Sequence, residues 1–200
     1  MDLRSEIQAI VLAAGESRRM GRMKMLLPFR GTTMLEHVID NIFSAGLENI
    51  TVVLGHKKEE LAGLVDKKGV NYCVNNNYTE GMLSSVICGV NSLTGHYRFL
   101  MVFQGDQPLI SPGTIGKMID EAEETTKSIL IPVHEGKRGH PLMVSRQLAG
   151  KIGFLDPAIG LRALTNENPE QILEVSVNDP GILRDFDTYD EYIREINQTM

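Results

Sequence analysis

The chain has 200 residues, 42% hydrophobic and 23% charged, with a formal net charge of -6. That length suits one domain with a real core, and the acidic balance argues against a protein that coats nucleic acid or an anionic membrane surface. No apolar run reaches the roughly 18 residues of a membrane span, and the acid-bearing start MDLRSEIQAIVLAAG is unlike a secretory leader, so a cytoplasmic protein is expected.

In chain order, IQAIVLA (7–13) reads as a fully buried strand and TMLEHVIDNIFSAG (33–46) as a helix ended by Gly46. ITVVLG (50–55) predicts the next strand, KKEELAGLVDKKG (57–69) a helix, VNYCVN (70–75) a third strand and MLSSVICGVNSL (82–93) a helix. RFLMVFQG (98–105) is a fourth strand, TIGKMIDEAEETTK (114–127) a helix, SILIPV (128–133) a fifth strand and PLMVS (141–145) a short sixth able to run antiparallel. A helical pair is expected near 146–152 and 157–167, a strand at 172–177 and a closing helix at 187–197. Strands alternating with helices predict βαβ units on a mostly parallel sheet within one domain, 1–200. Ligands of such sheets bind beyond the carboxyl ends of the strands. The loops after 13, 55, 75 and 105 are therefore where chemistry is expected. Cys73 and Cys88 are the only cysteines, and without further ligands nearby they read as buried free thiols.

The first of those loops is basic in an acidic chain: Arg18, Arg19, Arg22 and Lys24 fall within seven residues, just after Ala13, Ala14, Gly15 and Ser17. Small residues let a nucleotide approach backbone N–H groups, and Arg18 and Lys24 would add charge-assisted bonds to a triphosphate. The loop is neither a P-loop, since no Lys-Ser/Thr follows Gly21, nor the GxGxxG dinucleotide fingerprint. Asp106 ends an apolar strand in QGDQP, where its carboxylate serves either as a turn cap or as a magnesium ligand. Asp185 and Asp187 in RDFDTYDEY alternate on an extended stretch and so share a side. Asp187 also reads as a helix N-cap, a duty Asp185 does not have. Asn75, Gly81, Ser84 and Ser85 lie between the third strand and its helix. They bind a base edge and ribose, or the two serines merely satisfy the first helical turn. Arg138, Gly139 and His140 precede the sixth strand, with His140 held extended before a proline.

The stretch LAAGESRRMGRMKMLLPFRGTTMLEHVI resembles the signature LAAGxSxRMGxxKxLLPxxGxxxL of the MobA-like nucleotidyltransferases, and is most similar to the molybdenum cofactor cytidylyltransferases of the MocA type. AGLENITVVLG, NNNYTEGMLSSVICGV, GDQPLI, GKRGHPLMV and DPGILRDFDTYDEY resemble further family blocks in order, so the likeness covers nearly the whole chain. It implies a Rossmann-like three-layer α/β nucleotidyltransferase fold. It also implies transfer of CMP from CTP to the phosphate of molybdopterin, with release of pyrophosphate. Leu12-Ala13-Ala14-Gly15, where guanylyltransferases of the family usually show LAGG, implies CTP over GTP. The resemblance makes Asp106 a Mg²⁺ ligand, with the second carboxylate Asp187 or Asp185. It gives catalytic roles to Lys24, Arg18 and Asp106 and places Arg138, Gly139 and His140 near the acceptor. A molybdoenzyme of the xanthine dehydrogenase type is the implied recipient of the product. The remaining alternatives are a sugar- or alcohol-phosphate acceptor, or a non-catalytic nucleotide-binding accessory protein.

Overall fold

A computed structural model describes residues 2–199, and side chains through residue 197. Strand β1 (Ile7–Ala13) is central, and after it a two-residue hairpin, β2 (Pro28–Phe29) with β3 (Thr32–Thr33), leads into helix α1 (Met34–Ser44). Strand β4 (Ile50–Leu54), helix α2 (Lys58–Lys68), strand β5 (Asn71–Val74), helix α3 (Met82–Ser92), strand β6 (Phe99–Gln104) and helix α4 (Pro112–Glu124) continue the alternation. The last part holds β7 (Ile129–His134), β8 (Lys137–Arg138), β9 (Leu142–Ser145), α5 (Arg146–Ala149), α6 (Arg162–Glu167), β10 (Ile172–Ser176) and α7 (Tyr189–Thr199). The sheet order is β10-β7-β9-β6-β1-β4-β5, with β8 on β7. The β1, β4, β5 and β6 pairings and the β7–β10 pairing are parallel, while β9 runs antiparallel between β6 and β7.

Two cores make three layers. Ala9, Val11 and Ala13 of β1 face one side, packed with residues of α1, α2 and α4, while Ile10 and Leu12 face the other with residues of α3, α5 and α6. Because both faces are covered, the central strands β1, β4 and β6 carry nearly continuous apolar runs. The predicted helices match those observed to within a few residues, apart from the second of the 146–167 pair, which begins only at Arg162. Helix α1 starts where Thr33 Oγ1 accepts from the Glu36 amide at 3.3 Å and Glu36 Oε2 accepts from the Thr33 amide at 2.9 Å. This reciprocal cap satisfies two amides left open by the helix start. Gly46, at φ 84°, takes the left-handed turn after its end. Cys73 and Cys88 are half-buried free thiols, with sulfurs 3.6 Å apart across β5 and α3.

The carboxyl ends of the central strands reach one edge together, since Ala13 pairs with Leu54 and Leu12 with Gln104. Against this edge packs the segment 180–188, held by backbone bonds from His140 N to Ile182 O at 3.0 Å and from Phe186 N to Asp106 O at 3.3 Å. Gly139 permits the approach: a Cβ there would lie 2.3 Å from Ile182 O. The family resemblance implies that Gly139 lies near the acceptor, and its backbone packing supplies a second constraint on the same residue. Replacing Gly139 with Ala should destabilise the fold by about 1–3 kcal/mol through overpacking, read as a lower urea midpoint at unchanged slope. An unchanged midpoint would mean that the 180–188 segment yields freely.

Candidate active site

Three turns at the carboxyl edge build the site. After β1 the chain runs through Ala14 and Gly15 into a loop whose Ser17 sits at φ 53°, and a short 3-10 turn, Arg18–Met20, follows. Ser17 Oγ accepts from the Lys24 amide at 3.3 Å and so fixes the return of the loop. Met23 and Met25 are buried on either side of Lys24, which leaves the ammonium directed across the edge. After β6, Gly105 lets that return pack closely, since a Cβ there would lie 2.9 Å from Met25 Sδ and 3.0 Å from Leu12 O. The third piece is Asp185-Phe186-Asp187. Phe186 is buried against Phe29 and Tyr192, with ring centroids 5.9 and 6.4 Å apart, so its two neighbours are turned outward on the same side.

Asp106, Asp185 and Asp187 thereby each offer a carboxylate oxygen within 4.8 Å of the others. Lys24 Nζ forms an ion pair with Asp106 Oδ2 and lies 3.6 Å from Asp187 Oδ1 and 3.4 Å from Phe186 O. Arg19 closes the rim, 2.7 Å from Asp187 Oδ2. Hard carboxylate oxygens converging from two chain segments are the donor set that a magnesium-class ion takes, so the residues present fit a divalent metal. The helix-cap reading of Asp187 is corrected. Thr188 Oγ1 accepts from the Glu191 amide at 3.3 Å, and Glu191 Oε2 accepts from the Thr188 amide at 2.9 Å. Both aspartates are therefore available to the cluster.

A cleft of about 340 Å³ runs from this cluster along the ends of β1 and α3. Of the residues expected to bind nucleotide, Leu12, Ala14, Gly15, Lys24, Gly81 and Ser85 line it. Ala13 does not, because strand alternation turns its methyl into the core with α1. Ser17 supports the loop from behind. Arg18 lies apart: it pairs with Glu16 at 2.7 Å and faces a separate depression with Arg22, His56 and Lys57. Its neighbour Arg19 is the arginine in the cleft. Asn75 is buried, its amide donating to Ser84 Oγ at 2.9 Å and Ser85 Oγ at 3.0 Å while its carbonyl oxygen accepts from the Asn77 amide. Asn75 and Ser84 thus brace the loop that carries Gly81 and Tyr78. Tyr78, Met82 and Gln104 also line the cleft and were not singled out from the sequence. Gln104, the last residue of β6 beside Gly105-Asp106, had a positional signal; Tyr78 and Met82 had none.

Beyond Gln104 and Met82, which line both, opens a larger cavity of about 700 Å³. It contains Arg138, Gly139 and His140, with Leu83, Ile131 and Leu142 for apolar surface and Arg162 and Asn166 for polar. Arg138 is partly engaged, its Nε donating to Glu174 at 2.7 Å. His140 Nε2 lies 2.9 Å from Gln104 Nε2, while its Nδ1 is buried without a partner. Burial lowers the His140 pKa below its usual 6.5, against the opposing pull of Asp106 and Asp185. The folded imidazole thus resists protonation. As pH falls through about 6.5 the unfolded chain binds a proton that the folded chain does not, so this residue removes stability on acidification until the folded pKa is reached. His140→Gln should flatten the stability–pH curve below about pH 6.5, measured by urea unfolding at several pH values. A curve parallel to wild type would mean that His140 titrates normally.

A family model for the MobA-like NTP transferase domain matches residues 9–172. The molybdenum cofactor cytidylyltransferase of Escherichia coli is 29% identical over 94% of this chain and 95% of its own length. Nicotine blue oxidoreductase of Paenarthrobacter nicotinovorans is 25% identical over the same shares of the two chains. A solved protein of Mycobacterium tuberculosis superposes with a TM-score of 0.84 at 27% identity, covering 96% of this chain and 98% of that one. A manganese complex from the same organism gives 0.75 at 25% identity, with the same coverage of each chain. The mostly parallel three-layer sheet agrees with that family assignment. The chain belongs to the MobA-like NTP transferase family and is a nucleotidyltransferase.

Proposed function

We propose that the protein transfers CMP from CTP to the phosphate of molybdopterin and releases pyrophosphate. The observation that carries this reading is the meeting of two cavities at Gln104 and Met82, with Asp106, Asp185, Asp187 and Lys24 on the nucleotide side. A phosphate oxygen of the acceptor would attack the α-phosphorus of CTP; that P–O bond forms as the bond to the β-phosphate breaks. The nucleophile is already anionic at neutral pH, so the chain need not supply a general base. Its task is placement and compensation of charge.

Asp106, with Asp187 or Asp185, would hold a magnesium ion, which when bound offsets negative charge on the phosphoryl oxygens. Lys24 would supply positive charge at the α-phosphoryl group, and Arg19, at the rim, is better placed than Arg18 to meet the departing pyrophosphate. Ala14 narrows the cleft where the nucleobase enters, and its methyl sits against Gly55, where a Cβ would come within 2.7 Å of it. The preference for a single-ring base rests on Leu12-Ala13-Ala14-Gly15, in place of the LAGG usual in the guanylyltransferases. The apolar and cationic mixture of the larger cavity suits a flat heterocycle bearing a phosphate, and the Escherichia coli relative is named for cytidylyl transfer to that cofactor. Hydride transfer, which the oxidoreductase relative suggests, has no use for three converging carboxylates and a lysine.

The test is pyrophosphate release with CTP, GTP or ATP against molybdenum-loaded pterin, empty pterin and sugar phosphates. Release should require CTP and a pterin phosphate. Turnover with a sugar phosphate in place of the pterin would replace the acceptor. Asp106→Ala should abolish transfer in a protein that still folds, because Lys24 keeps Asp187 Oδ1 within 3.6 Å as a partner. Wild-type turnover in that variant would remove Asp106 from the chemistry. Arg19→Ala should raise the KM for CTP several-fold, and Arg18→Ala should not; the reverse ranking would mean the loop rearranges around nucleotide.

A further inference from the structure

Lys24 lies within the carboxylate cluster and not merely beside it. Its ammonium touches Asp106 Oδ2, reaches Phe186 O at 3.4 Å and lies 3.6 Å from Asp187 Oδ1. A backbone carbonyl and two carboxylates are the hard oxygens that a divalent cation itself selects. The side chain is only 13% exposed, so its charge is compensated by these groups and little by water. With Arg19 on the outer oxygen of Asp187, two positive charges already answer the three negative ones. A divalent ion cannot join that set without facing an ammonium at contact distance, a repulsion that partial burial screens poorly.

We propose that Lys24 is a placeholder cation. In the nucleotide-free protein it fills the carboxylate cluster and keeps a divalent metal out, and a polyphosphate entering the cleft draws the ammonium onto itself and frees the carboxylates. This rests on the nucleotidyl-transfer reading and adds to it an order of loading. Lys24 can make the exchange because it lines the same cleft as Gly15 and Ser85, where the nucleotide would lie. Its four-carbon stem moves the charge without moving the loop, whose backbone stays fixed by Ser17. Metal affinity of the free protein is then reduced by the fraction of molecules in which Lys24 has left the cluster.

The experiment is titration of Mn²⁺ followed by the electron paramagnetic resonance of the free ion, with and without α,β-methylene CTP and corrected for binding to the analogue alone. In wild type the analogue should tighten Mn²⁺ binding by about tenfold or more, the factor expected if Lys24 vacates the cluster in under a tenth of free molecules. Lys24→Met, which keeps the stem and removes the charge, should bind Mn²⁺ about tenfold or more tighter than wild type with no analogue present. Lys24→Gln provides a second neutral variant if the methionine form does not fold. Arg19→Met should tighten binding less, because Arg19 meets one carboxylate and is 70% exposed. Adding Asp106→Asn to Lys24→Met should erase the gain and so locate it in this cluster. If the analogue tightens binding but neither Lys24 variant does, the placeholder is overturned while the metal site stands. If Mn²⁺ binds to no form even with the analogue, the metal-dependent reading of the site falls as well.

Discussion

Three carboxylates within 4.8 Å of one another are the constraint on which the carboxyl edge of this sheet depends. At an effective dielectric near 20, each pair at that spacing repels by roughly 3 kcal/mol, and less where the exposed Asp185 is screened by water. Such a cluster needs rigid support and compensating charge, and the chain provides both. Asp106 stands at the end of a strand whose neighbours are covered on both faces. Phe186, buried in a third apolar cluster with Phe29, Met34 and Tyr192, anchors the other two aspartates. Tyr192 in turn donates to Pro28 O at 2.6 Å, tying α7 to the hairpin that follows the basic loop. The fold thus clamps the opposing segments from behind, while Lys24 and Arg19 neutralise them from the front.

The layers of this fold are legible in the sequence because burial on both faces leaves long apolar runs, and because caps such as Thr33-Glu36 and Gly46 punctuate the helices. The hairpin at 28–33 is not, since two-residue strands carry no periodic signal. Local geometry was harder still. Arg18 and Arg19 are adjacent and chemically alike, and only the left-handed Ser17 and the 3-10 turn after it decide which one turns into the cleft. Asp187 and Thr188 both offer a capping oxygen, and which one caps α7 depends on the entry angle that buried Phe186 imposes. Asn75 was readable as polar and well placed. Its consumption by Ser84 and Ser85 depends on a helix packing onto a strand, which no spacing encodes.

The larger cavity shows a different balance between packing and exposure. Strand β9 brings Leu142 and Met143 into the core between β6 and β7, yet the residues just before it, Arg138 to His140, belong to the larger cavity. One short stretch therefore serves both the sheet and the site, and Gly139 reconciles them by giving up its side chain to Ile182. Gln104 is shared in the same way, as the end of a core strand and as wall to both cavities. Its contact with a neutral imidazole fixes an amide at the junction without adding net charge there. The carboxylate cluster and Lys24 line the smaller cleft, while the larger cavity has Arg138 and Arg162.

That division explains why position 24 suits lysine better than arginine. An arginine would present a planar fork suited to two-point contact with one carboxylate. Inside the cluster the acceptors come from different directions: Asp106 from one turn, Asp187 and the Phe186 carbonyl from another. A compact ammonium with three rotatable donors can answer all of them, and its charge is nearly a point, as a metal ion's is. The group that best mimics a bound cation is also the one most easily exchanged for it, because its interactions are electrostatic and its stem is flexible. Stability of the empty cleft and readiness to accept a charged ligand then arise from the same side chain, with no rearrangement of the sheet that holds it.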